Sequence, residues 1–385
     1  MTADPPKTAD AVVIGGGLIG LFTAIGLAEK GLSVVILERD RLGAHASGLH
    51  AGGVRRIGRD PAELPIAEAA MAIWRDAETA IGKGCGFTAS GHVLLAETEA
   101  ERTVLEAREE DLCAAKLSIA TWLDAGDLAR LVPSMRTGPL AALYAEGDGF
   151  ANPAGTLSAT IAKAEAIGVQ CVENAEVLGI DHAGDTLRVS TAAGTVTAGC
   201  VVNAAGASGG RVARIAGDRL PVIMEAPMAQ RTVPLPAFLG PVIQTIGRKL
   251  TLKQQADGRL LIGGGHRGVI EDEGWRAEAI PSEGALNRAT VEDLFPHTRP
   301  IVPEAVWAGL DGYTPDRLPI IDKGGLPGLV HAIAFSGHGF QLAPAIGPVV
   351  ADLATGVLPA FDLAPFRADR FTDMAALDEV DVRVG

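Results

Sequence analysis

Apolar and polar positions along this chain follow two rhythms. Ala11-Val12-Val13-Ile14 is an unbroken apolar run of the length of a buried strand. After three glycines, apolar residues recur at helical spacing from Leu21 to Lys30, and Gly31 stands where a C-cap belongs. Ser33 to Leu37 is a second strand-like run, ending at Glu38. Strand, helix and strand therefore fall within about 30 residues, the size of a βαβ unit. Farther along, Leu64, Ala67, Met71, Trp74, Ala77 and Ile81 place one apolar stripe on a helix over 61–82. Residues 91–96 read as a strand and 97–116 as a charged surface helix. Asn152 as N-cap and Pro153 at N1 predict a helix that Gly168 ends. Short strands follow near 169–173, 176–181, 186–191 and 195–203. Leu250–Gln255 and Leu260–Gly263 flank Asp257-Gly258, a hairpin signal. A strand over 329–335, a turn at Ser336–Phe340 and a helix from Gln341 close the pattern, with fraying expected after Thr372. No internal repeat is visible.

Chemistry enters at the first turn. Gly15, Gly17 and Gly20 form G-x-G-x-x-G between strand and helix. Gly15 permits the tight turn, Gly17 lets backbone approach a pyrophosphate, and Gly20 lets the helix pack on the strand. The helix N-terminus offers unpaired N–H groups to phosphates. Glu38 stands about 20 residues on, where a carboxylate accepts a ribose hydroxyl. The unit reads as dinucleotide-binding, without separating NAD from FAD. A second small-residue segment, GAHASGLHAGGVRR at 43–56, can lie flat against a ligand.

Composition narrows the partners. With 48% hydrophobic and 21% charged residues the chain is globular, not disordered, and 385 residues suggest two or three domains. A net charge of −14 lacks the footprint of a nucleic-acid binder or a polybasic membrane patch. Cys85, Cys113, Cys171 and Cys200 are scattered, so neither a metal site nor a disulfide framework is expected, and a reduced, cytoplasmic setting fits. Residues 11–28 carry no charge, but their glycines and the lack of a basic flank argue against a membrane span or signal peptide.

Four segments in order carry a resemblance: GGGLIG with Glu38-Arg39, ASGLHAGGVR, VVNAAG, and WAGLDGYTPDRLPIID with SGHGFQLAP. Together they resemble the D-amino acid oxidase family of FAD-dependent oxidoreductases. Within it the chain is similar to glycine and sarcosine oxidases and to the β subunits of hydroxyproline and opine dehydrogenases. The resemblance spans nearly the whole chain and is specific to the family, not to a substrate. It implies an α/β fold, with a Rossmann-like FAD-binding domain (1–84, 145–220 and 311–385). Interwoven with it is a smaller α+β substrate domain built on an antiparallel sheet (85–144 and 221–310).

The resemblance also implies roles. Gly15, Gly16, Gly17, Leu18, Ile19 and Gly20 would meet the pyrophosphate, and Glu38 and Arg39 the adenosine ribose. Ala46, Ser47, Gly48, His50, Ala51, Gly52 and Gly53 would run beside the pyrophosphate and flavin ring, and Val177 would reach adenine. Ala204, Ala205 and Gly206 would lie by the dinucleotide. Gly337, His338, Gly339, Phe340 and Gln341 would lie at the ring's pyrimidine edge. Sarcosine oxidases carry a cysteine where this chain has Gly309, so FAD is expected to be non-covalent.

The expected chemistry is hydride transfer from a carbon bearing an amine to flavin N5, giving an imine. His50, Arg55 and His338 form the expected catalytic set, with the histidines as ring-edge hydrogen-bond partners. Arg55 and Arg56 are candidates for the substrate carboxylate, and His266 and Tyr313 are candidate pocket residues. Glycine oxidases carry an arginine directly after WAGL; here that residue is Asp311, which suits a substrate cation of a basic or opine-type amino acid. The stretch 260–271 holds no lysine of the kind sarcosine oxidases place over the flavin, which leans toward a dehydrogenase passing electrons to a partner subunit. Rival readings are a 2-hydroxy acid dehydrogenase on the same fold, a noncatalytic flavoprotein subunit, and a serine hydrolase using Ser208 in Gly206-Ala207-Ser208-Gly209-Gly210 with Asp322 and His338.

Overall fold

A computed structural model of the chain describes residues 5–271 and 275–371. The expected fraying after Thr372 lies outside the described residues. Its framework is a pair of eight-stranded sheets. In the first, the strand Thr8–Ile14 runs parallel to Val34–Leu37 on one side and to Gly194–Asn203 on the other. Gln170–Val172 and Leu329–Ile333 extend this parallel core outward. Val12, Val13, Val35 and Val202 are buried there, as continuous β-branched runs in parallel sheets are. The helix Leu18–Glu29 starts directly after Gly17, and the helix Gly339–Ala354 packs alongside it. The helix Leu64–Arg75 packs on the latter; Trp74 Nε1–H donates to the Gln341 carbonyl at 2.8 Å.

The second sheet runs Pro303–Ala308, Met228–Thr232, Leu260–Gly263, Thr251–Gln254, Val242–Thr245, His92–Ala96, Ala141–Ala145 and Thr121–Asp124. The expectation of a wholly antiparallel sheet needs one correction: Val242–Thr245 pairs parallel with His92–Ala96. Those two strands come from different stretches of the chain, so no hairpin dictates their direction. The predicted hairpin is present, with Gly258 at φ +86° in its turn. Val93, Leu95, Leu252, Ile262, Val291, Leu294 and Phe295 form this sheet's core. Ile223–Glu225 pairs with Asp311–Tyr313 where the chain leaves and rejoins the first sheet's neighbourhood. Among the described residues no helix is long and apolar enough to cross a membrane.

Candidate active site

A cavity of about 610 Å3 takes its wall from both sheets, within the usual size of ligand pockets. At one end the chain turns from Ile14 into the first helix. Gly15 has φ +106°, and a Cβ there would lie 2.6 Å from the Ala204 carbonyl oxygen, so only glycine fits. Leu18 N–H donates to Ser47 Oγ at 2.9 Å, tying the 43–56 segment to the helix start. Glu38 accepts from Gly16 N–H at 2.7 Å and Asp40 N–H at 2.8 Å, which fixes its carboxylate at the cavity's edge. Arg39 lies 5.0 Å from the Trp275 ring centroid, and Arg211 5.5 Å from the same centroid.

The wall also includes Gly17, Ile19, Ala46, Ala51, Gly52, Gly53, Val177, Ala204, Ala205, Gly206, Gly309, Gly337, Gly339 and Phe340. Four expected contacts lie behind it. Gly16 abuts Glu38 and Leu42, and a Cβ on Gly20 would stand 2.0 Å from the Gly15 carbonyl oxygen, so Gly20 serves helix–strand packing. Gly48 packs on the Gly43 carbonyl, and the Gln341 side chain donates to Ala67 O at 2.9 Å.

Ionisable groups gather at the other end. His50 Nδ1 accepts from Gly52 N–H at 2.8 Å, so Nε2 carries the hydrogen; it is buried with no partner among the described residues. Burial, then the Lys253 charge, pushes this imidazole down to about 3, so His50 is neutral and presents Nε2–H as a donor. Its ring lies 4.1 Å from that of Phe340. Arg55 lines the cavity, and burial together with the neighbouring Arg59 lowers its guanidinium to about 9. Arg59 also lines it, only 3% exposed; one terminal nitrogen makes no hydrogen bond and lies 4.0 Å from a Glu63 carboxylate oxygen. His338 Nδ1 sits 2.8 and 3.0 Å from the two oxygens of Glu63, itself fully buried.

Asp311 and Tyr313 line the cavity as well. Burial raises the Asp311 carboxyl to about 6, against the pull of the Gly312 and Gly337 N–H groups. Arg267 is committed to Glu225 at 2.5 Å, and Arg317 pairs with the same carboxylate at 3.2 Å. Both guanidiniums lie over the Tyr313 ring, at 5.3 and 4.6 Å.

Two sequence expectations are corrected. Arg56 points away from the cavity into a buried pair with Asp148 at 2.9 Å, with Glu68 at 2.8 Å beyond. His266 is off the wall too; its Nδ1 meets Glu283 at 2.6 Å, and its carbonyl accepts from Met228. Ser208, Asp322 and His338 form no hydrolase constellation, because His338 is held by Glu63 and Asp322 accepts from Lys323 and Ala368 N–H.

A family model described as FAD dependent oxidoreductase, DAO, matches residues 10–353. The chain belongs to this family. Glycine oxidase from Geobacillus kaustophilus is 31% identical over 376 residues, covering 94% of this chain and 97% of the relative. Mitochondrial sarcosine dehydrogenase of Mus musculus is 27% identical over 95% of this chain, which spans only 42% of that protein's length. Among solved structures, L-proline dehydrogenase from P. horikoshii superposes with a TM-score of 0.88 at 24% identity, covering 96% of this chain and 99% of the other.

The DAO assignment makes FAD the cofactor, and the site's residues fit it. The glycine turn at the first helix and Glu38 suit a dinucleotide's pyrophosphate and ribose. The unpartnered His50 Nε2–H is a buried donor awaiting an acceptor.

Sequence reasoning missed Arg59, Glu63 and Lys253. The spacing Arg55-Arg56-x-x-Arg59-x-x-x-Glu63 was the available signal for the first two. Lys253 lies on the strand Thr251–Gln254, which pairs with the start of the lysine-free stretch 260–271. It is 3% exposed, donates to the Ala51 carbonyl, and has its Nζ 4.5 Å from the Phe150 ring centroid.

Proposed function

We propose that this chain uses non-covalent FAD to oxidise the C–N bond of an amino acid or N-substituted amino acid to an imine. The observation that carries the reading is the Arg55–Arg59 pair. The half-buried Arg55 and the buried Arg59 guanidiniums share one wall and repel each other, and one nitrogen of Arg59 makes no hydrogen bond. A substrate carboxylate supplies a further negative charge, beside those of Glu63 and Asp148, and a bidentate acceptor. Bound FAD supplies the two-electron acceptor. The chain's own residues orient the substrate, exclude water and fix charge around it. In this reading residues 1–84, 145–220 and 311–385 hold the cofactor, while 85–144 and 221–310 roof the substrate.

Asp311 adds a second pole. It has no ion-pair partner among the described residues, because Arg267 is taken by Glu225. We assign it to a cationic group on the substrate, as a basic or opine-type amino acid carries. Gly309 offers no sulfur for flavin attachment, which supports non-covalent binding. A partner subunit that accepts electrons belongs to the same proposal.

The test is anaerobic flavin bleaching by an amino acid and by its amide. The amino acid should bind at least 10-fold more tightly, and Arg59→Met should erase the difference; equal binding of acid and amide by the wild type removes the carboxylate anchor.

A further inference from the structure

The heads of two helices meet at the cavity. Glu63 precedes Leu64–Arg75, and His338 precedes Gly339–Ala354. The Gln341 side chain donates to the Ala67 carbonyl at 2.9 Å and ties the same pair of helices about one turn further in. A carboxylate can only accept, so His338 Nδ1 carries the proton and Nε2 keeps its lone pair. His338 lines the cavity, and its side chain keeps 19% of its surface exposed there. A carboxylate that fixes the tautomer and offsets the imidazolium is the arrangement that makes a histidine a directed base.

Amino acids reach an enzyme near neutral pH as ammonium ions, whose nitrogen has no lone pair to push out a hydride. We propose that Glu63 and His338 act as a dyad in which His338 Nε2 takes the proton from the substrate ammonium. This rests on the amine reading above. One N–H bond of the ammonium breaks and an Nε2–H bond forms. The electron pair stays on the amine nitrogen, and Glu63 remains ionised. His50 cannot serve, since its Nε2 already carries hydrogen.

The charges facing His338 are Glu63, Arg59 and Arg55, with Asp311 and Tyr313 beyond Gly337. Burial, then Arg59, lowers the imidazole to about 4, so Nε2 is bare at neutral pH. Glu63 stays below the ordinary carboxylate range: burial acts to raise it, but His338, Arg59 and Arg55 outweigh that. A substrate carboxylate on Arg55 and Arg59 offsets the two positive charges and raises the basicity of Nε2 when it is needed.

The experiment follows flavin reduction in the holoenzyme between pH 6 and 9. The second-order rate for the wild type should be flat, because the bound ammonium is deprotonated in place. In His338→Asn only free amine reacts, so the rate should climb tenfold per pH unit and lie about 10²–10⁴-fold lower at pH 7. Glu63→Gln should tilt the same way. A tenfold climb already present in the wild type, or a flat profile in His338→Asn, overturns the dyad. Nitrogen-15 NMR of labelled histidine gives an answer independent of turnover. The wild type should show His338 protonated at Nδ1, and protonation at Nε2 instead overturns the proposal. A wild-type flavin that no amino acid reduces defeats the amine reading and the proton transfer with it, whereas protonation at Nε2 in an enzyme that amino acids do reduce defeats the dyad alone.

Discussion

Arg56 Nε donates to Asp148 Oδ1 at 2.9 Å, while the backbone N–H groups of Arg56 and Ile57 close on Asp148 Oδ2 at 2.7 and 2.9 Å. The buried carboxylate thereby fixes the turn that sends Arg55, one residue earlier, into the cavity wall. Two adjacent arginines thus divide into a strut and a residue of the cavity wall.

Removing one partner of a buried pair leaves the other uncompensated. Arg56→Ala should therefore cost about 3–5 kcal/mol in denaturant unfolding. Arg55→Met should cost far less stability but weaken amino acid binding by roughly 10- to 100-fold, the worth of a charged hydrogen bond. Titrations of flavin bleaching and urea melts of both variants separate the two roles.

Glu38 orders the turn through Gly16 and Asp40. Glu38→Ala removes both acceptors and the carboxylate proposed to meet the ribose. Its purified protein should hold FAD at least 10-fold more weakly by equilibrium dialysis, as loss of a charged hydrogen bond predicts. Unchanged affinity would place the adenosine half elsewhere.

Burial lowers the Lys253 ammonium to about 7, well under its value in an unfolded chain. Between about 7 and 10.4 the unfolded chain then binds the extra proton, so stability contributed by this group rises with pH across that window. Lys253→Met removes the slope. Relative to the wild type, the variant should gain most below pH 7 and progressively less toward pH 10, measured by unfolding at fixed temperature. A gain that does not change with pH would show that Lys253 stays charged when folded.

Asp311→Asn should leave simple α-amino acids reacting as before and selectively weaken substrates that carry a second cation. Comparing flavin reduction by neutral and basic amino acids in both proteins checks this. Selectivity that does not move would remove Asp311 from the substrate's surroundings.

Much of the nucleotide half was legible because its signals are local. A β-branched run, a glycine triad and Glu38 sit within one continuous stretch, and the turn geometry at Gly15 follows directly from them. The second sheet was harder. Ala141–Ala145 is a fully paired strand with three alanines and no β-branched residue, so propensity signalled it only through Tyr144; its place comes from burial between two neighbours. The end of the cavity that gathers the ionisable groups was the least legible. Arg55 and Arg56 are indistinguishable by spacing, and only the distant Asp148 decides which one faces inward. Glu63 and His338 are far apart in sequence and meet only because two helices dock. His266 looked exposed to ligand after three glycines, yet Glu283 draws its ring to the other side.

The most direct test of the account is the visible spectrum of the purified holoprotein, taken anaerobically before and after adding amino acids, N-alkyl amino acids, opines and the matching 2-hydroxy acids. Bleaching of flavin bands by members of the amine set, with the hydroxy acids inert, is the predicted result. Bleaching by the hydroxy acids with every amine inert would contradict C–N oxidation.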